Sequence, residues 1–93
     1  MLKVIMLCNG LTVIGLQKES DHARLVRVQD PLLFRYEKSK DGTIMNFQAY
    51  DTVAKPREVR FRVDAMYRAN EDQTRQYEAA RATIFGKLEE QDG

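Results

Sequence analysis

The stretch from Val4 to Asp21, VIMLCNGLTVIGLQKESD, constrains this chain more than any other part of it. Two apolar runs meet at Asn9-Gly10, a pair that favours a tight hairpin because both residues reach φ > 0 at low cost. Gly15 follows in the middle of the second run, and Asp21 stands where that run ends. A mid-strand glycine marks a bend or a close backbone approach. The spacing predicts a strand that curls sharply straight after a hairpin, as strands of small barrels do.

Further strands follow from the same logic. Strand one is expected over about Leu2 to Cys8 and strand two over about Leu11 to Glu19, both apolar enough to be covered on two faces. Cys8, alternating within strand one, is expected to be a buried thiol. Strand three starts near Arg24, is interrupted at Asp30-Pro31 and resumes through Leu32 to Tyr36. Proline cannot donate to a ladder, so an edge or a bulge is expected there. Asp41-Gly42 marks a second hairpin, and strand four is expected over Thr43 to Val53. Strand five alternates from Glu58, with Val59, Phe61 and Val63 on one face and Arg60, Arg62 and Asp64 on the other. Phe34, Tyr36, Phe47 and Phe61, at strand spacing, are expected in the core.

At Asn70 the period changes. Asn70 suits an N-cap, Glu71 and Asp72 suit the positive end of a helix, and Gln73 completes a capping box. Tyr77, Ala80, Ile84 and Leu88 then make one apolar stripe. Gly86 weakens the last turn, and residues 89–93 are expected to fray. The expectation is one domain: a five-stranded barrel over residues 1–69 and an amphipathic helix with its tail over 70–93.

Charge divides along that line. Residues 1–69 hold twelve Lys/Arg against eight Asp/Glu, whereas residues 70–93 hold three against six. A basic body with an acidic helix suits a nucleic-acid surface, although a balance of this size is also ordinary for a small domain. One cysteine excludes an internal disulfide and a cysteine-rich zinc site. One histidine, no metal-ligand spacing and no glycine-rich loop before a helix leave catalysis, cofactors and metals without sequence support. No apolar run approaches membrane-spanning length, and no leader pattern opens the chain, so an intracellular, cytoplasmic protein is expected.

The series apolar strand, Gly10, Gly15, strand, Asp21 resembles the first motif of the Sm-like (LSm) RNA-binding family. The segment from Thr52 to Val59 is similar in outline to the second. The likeness spans roughly residues 2 to 65 and implies a divergent branch, such as the short Sm-like proteins carried by bacteriophages. Arg24 stands where the family has Asn, and Lys55-Pro56 replaces Arg-Gly. The helix follows the barrel instead of preceding it. The resemblance implies a strongly bent Sm-like (SH3-type) barrel and a homo-oligomeric ring of five to seven subunits, with edge strands four and five paired between neighbours. It also implies a non-catalytic grip on single-stranded RNA, or DNA, in pore loops.

By position in those motifs, His22 stacks on a base, Arg24 meets phosphate or stacks, Lys55 and Arg57 supply charge from the opposite loop, and Asp21 orders its own loop. The plain reading of the same residues is a pair of solvated turns. Arg60 and Arg62 form either a basic stripe or subunit-contact ion pairs. Two functions therefore compete: an RNA-binding ring, or a ring-shaped protein scaffold that has lost its nucleic-acid pocket.

Overall fold

The computed structural model describes the backbone of residues 1–22 and 24–92, and the side chains of residues 1–18 and 24–86. Strands β1 (Leu2–Leu7) and β2 (Thr12–His22) form the first hairpin. Its loop is a turn in which Gly10 N–H donates to the Leu7 carbonyl at 3.0 Å, and Leu7 N–H donates to the Leu11 carbonyl at 2.8 Å. Gly10 alone is left-handed there, at φ 89°. Asn9 contributes through its side chain, whose Oδ1 accepts the Leu11 N–H at 3.0 Å. The expectation of two positive-φ positions is thus corrected to a three-residue loop closed by a left-handed glycine. Cys8 falls in this loop and is exposed, not buried in a strand.

Strand β3 (Leu25–Ser39) is continuous through Asp30-Pro31. It turns back at Lys40-Asp41 into β4 (Gly42–Ala49), which is shorter than expected. Beyond it, Asp51 gathers a turn: its Oδ1 accepts the N–H groups of Val53 and Ala54, each at 2.9 Å. These two bonds hold its carboxyl below the usual range. Strand β5 (Glu58–Arg68) and helix α1 (Glu71–Asp92) complete the chain.

The five antiparallel strands run in the order β2-β1-β5-β3-β4, and β2 also pairs with β3. Strands β1, β2, β3 and β5 therefore close a ring, and β4 extends it along the far half of β3. A small bent barrel with a C-terminal helix is the expected architecture, and it is the one observed. Closure depends on the bend in β3. Residues 25–29 pair with β5, whereas residues 32–39 pair with β4. Asp30 and Pro31 occupy the junction between these ladders, with Asp30 left-handed at φ 52°. Pro31 sits where neither ladder requires an N–H, so a fully buried proline is tolerated.

Gly15 faces this junction, and the β2–β3 register shifts between Ile14 and Leu16. A Cβ at Gly15 would stand 2.4 Å from Val28 Cγ1 and 3.3 Å from Pro31 Cα. The close approach that the glycine spacing implied is present.

Two cores result. Ile5, Leu7, Val13, Val26, Val28, Phe61 and Val63 fill one. Val4, Ile14, Leu32, Phe34, Tyr77 and Phe85 fill the other, which includes the helix. Neighbouring residues of β1 and β2 contribute to different cores, which explains their unbroken apolar character. Among the aromatic residues expected inside, Tyr36 is exposed and Phe47 half-buried.

The capping box forms as expected. Asn70 Oδ1 accepts the Gln73 N–H at 2.7 Å, and Gln73 Oε1 accepts the Asn70 N–H at 2.9 Å. Gln73 Nε2 donates to Tyr36 Oη at 3.0 Å, which ties the helix start to β3. The buried stripe differs from the expected one: Gln73, Tyr77 and Phe85 are buried, Ala80 and Ile84 are half-buried, and Leu88 lies outside the described side chains. Phe85 was hidden in the sequence because Arg81, a charged residue, shares its stripe.

Candidate nucleic-acid interface

Of the residues expected to form one pocket, Arg24 and Arg57 stand at opposite ends of the β3–β5 ladder. Asp21 and His22 end β2, His22 pairs with Leu25, and both side chains lie outside the described residues. Arg24 is exposed, and its carbonyl accepts the Val63 N–H at 2.8 Å. At the other loop, Asp30 N–H donates to the Arg57 carbonyl at 2.7 Å. The two loops thus meet β3 six residues apart, at opposite ends of the β3–β5 ladder. Along an extended strand that is about 20 Å. The pairing of β5 with the first half of β3 imposes this separation.

Lys55 is left-handed at φ 44° in the turn after Asp51, and its N–H donates to the Asp51 carbonyl at 2.8 Å. Arg57 is committed to the fold. Its Nε donates to Asp30 Oδ1 at 2.6 Å and its Nη2 to Oδ2 at 3.3 Å. Its guanidinium lies 4.8 Å from the centre of the Phe85 ring. Arg81 Nε donates to Asp30 Oδ2 at 2.6 Å, and Tyr77 Oη donates to the Asp30 carbonyl at 2.8 Å. Burial pushes the Asp30 carboxyl up, but the two guanidiniums outweigh it and hold the group below its usual range. Burial raises the Tyr77 hydroxyl well above its ordinary value, so it stays a donor. This cluster joins β3, the loop before β5 and the helix.

Positive charge gathers elsewhere, on the outer face of the β3–β5 ladder. Val26, Val28, Phe61 and Val63 turn inward, so period-two alternation sends Arg27, Arg60 and Arg62 outward. Arg27 stands directly opposite Arg60, and Arg62 opposite Leu25. Like charges directly opposed across strands are destabilising. Glu58 offers Arg27 only a loose contact at 3.6 Å. Arg27 Nε is buried and meets no hydrogen-bond acceptor among the described residues. Among the described side chains, this face carries Arg27, Arg60 and Arg62 with the carboxylates of Glu58 and Asp64.

The stripe of Arg60 and Arg62 was readable from alternation on β5. Arg27 was not, because its place opposite Arg60 depends on which strands pair and in what register. Among the described residues, no helix is long and apolar enough to cross a membrane. No family model matches this sequence, and no curated protein sequence matches it.

Proposed function

We propose that this chain is a non-catalytic nucleic-acid-binding protein that grips single-stranded RNA on the outer β3–β5 face of a small barrel. One observation carries the reading: Arg27 and Arg60 are directly opposed on the outer face, with Arg62 two residues along β5. A fold that keeps like charges opposed gains when a polyanion lies across them. Phosphate oxygens satisfy guanidinium donors with charge-assisted bonds and release counterions. Asp21, His22 and Lys55 keep the roles that the family resemblance implies. Arg57, held by Asp30, contributes mainly by fixing its loop.

Self-association into an Sm-like ring belongs to the same proposal. It is supported by two open half-edges, β4 on one side and the Ala65–Arg68 half of β5 on the other. Repetition of a weak face around a ring multiplies its avidity.

Binding of single-stranded RNA and DNA oligonucleotides, measured across a salt series, tests the reading. The logarithm of affinity should fall linearly with the logarithm of salt, by about 0.7 in slope for each phosphate neutralised. Replacing Arg60 and Arg62 by glutamine should flatten that slope in a protein that stays folded. A parent protein that binds neither nucleic acid at low salt ends the proposal and leaves the protein-scaffold function in its place.

A further inference from the structure

A cleft of about 280 Å³ opens where β2 leaves β3. Val13, opposite Leu33, is the last β2 residue on that ladder, and the hairpin loop lies before it. Past Leu33, β3 runs on beside β4 alone, and the two strands show two faces. Phe34 and Phe47, directly opposed, turn towards the helix. Alternation therefore puts Leu33, Arg35, Asn46 and Gln48 on the other face, where Arg35 stands opposite Asn46 and Leu33 opposite Gln48. These four side chains and exposed Leu11 line the cleft. Arg35 Nη2 lies 2.7 Å from Glu37 Oε1, which leaves the other N–H groups of the guanidinium as donors. Among the described residues, the Asn46 and Gln48 carboxamides have no hydrogen-bond partner.

We infer that this cleft is a guanine subsite, in which Arg35 donates to O6 and N7 of the base, the Asn46 and Gln48 carboxamides meet its next polar edge, and Leu11 and Leu33 pack on the ring. The inference rests on the nucleic-acid reading above, which supplies the base. It adds a reading position on the β3–β4 ladder, beyond the β3 bend. Three features select this ligand. The cleft falls just below the roughly 300–1,000 Å³ of pockets for drug-sized ligands, room for one ring system. Arg35 shares its charge with Glu37, which favours a neutral polar ring over a free phosphate. Guanine offers a guanidinium two adjacent acceptors, O6 and N7, and offers carboxamide oxygens two donors, N1–H and the N2 amine. Adenine and uracil lack the paired acceptors. Cytosine pairs O2 with N3 but keeps a single donor group, its N4 amine. Unstacked bases of single-stranded RNA present these edges to proteins.

The test titrates the full chain, labelled at its leucine methyl groups, with the monophosphates of guanosine, adenosine, cytidine and uridine, and follows NMR signals. Inorganic phosphate is the control. Guanosine monophosphate should move the Leu11 and Leu33 methyl signals at millimolar concentration, and phosphate should leave them still. The other three nucleotides should need about ten-fold more for the same shift. An oligouridylate carrying one guanine should bind about ten-fold tighter than plain oligouridylate. Arg35→Lys keeps the charge and loses the fork, so it should abolish that preference and leave the salt slope as it is. Leu11 and Leu33 signals that stay still in guanosine monophosphate overturn the subsite, whatever the oligonucleotide result. Equal shifts from all four nucleotides overturn it too, as does a folded Arg35→Lys protein that keeps the preference. A parent whose oligonucleotide binding falls with salt but ignores guanine removes the subsite and keeps the basic face. A parent that binds no oligonucleotide removes the basic face, and the nucleotide titration still judges the cleft.

Discussion

At the scale of single residues, Gly15 is the position where one atom decides whether the barrel closes. A Cβ there would meet Val28 Cγ1 at 2.4 Å, the Gln29 carbonyl oxygen at 3.1 Å and Pro31 Cα at 3.3 Å. None of these can withdraw cheaply. Val28 is fully buried and β-branched, and the other two atoms belong to the backbone of the β3 bend. Gly15→Val should therefore cost about 1–3 kcal/mol through overpacking. In a domain of this size each kcal/mol lowers Tm by about 4–8 °C. Differential scanning calorimetry of the variant checks this, and an unchanged Tm would show that β2 and β3 separate there easily. Cys8 teaches the opposite lesson at the same scale. Its alternation with apolar neighbours suggested burial, but a loop one residue longer than expected carries it into solvent.

At the scale of elements, the Asp30 carboxylate binds three segments that share no ladder with one another: the β3 bend, the loop before β5 and the helix. A carboxylate with no exposed surface is tolerable only because two guanidiniums meet it. Asp30→Asn isolates this charge, since asparagine also accepts the left-handed backbone found there. The variant should lose about 2–3 kcal/mol at neutral pH, less than a fully buried pair because both arginines reach solvent. The pH dependence follows from the lowered carboxyl. The folded form holds its proton less tightly than the unfolded chain, whose aspartates titrate near pH 3.9, so the stabilisation is full above about pH 5. It is lost as pH falls through the folded value, below about 4. Melting curves across this range should converge for the parent and Asp30→Asn. A constant gap down to the lowest pH would show that the carboxylate charge is not what joins these elements.

At the scale of the whole molecule, the ring of four strands leaves β4 as the exposed margin. Gly42–Ala49 contains no charge and no proline, the usual guards of an open edge, and Ile44 is exposed along it. An edge of this kind is a template for another strand. The second open half-edge, Ala65–Arg68 on β5, offers a four-residue ladder for half of β4. Sedimentation velocity at micromolar concentration should accordingly give an assembly several times the 10.8 kDa of one chain. A replacement of Ile44 and Asn46 by lysine should return it to monomers with little loss of helix content. A monomeric parent at that concentration would refute edge pairing.

The sequence by itself determined what rests on neighbours in the chain. The hairpin at Asn9-Gly10, the alternation of β5, the capping box at Asn70 and the glycine in β2 were all legible, because turn chemistry, pleat and cap act over a few residues. So was the small bent barrel, which follows from short apolar strands and a glycine that demands a bend. Tertiary structure alone decided the rest. Pairing β5 with the first half of β3 set Arg27 opposite Arg60 and drew Arg24 and Arg57 to opposite ends of one ladder. Asp30, a strand breaker in the sequence, became the buried centre of the molecule once Arg57 and Arg81 arrived from 27 and 51 residues away. The physical reason is the same in each case. A buried charge or an opposed pair of arginines depends on distant partners, and no local pattern carries their register.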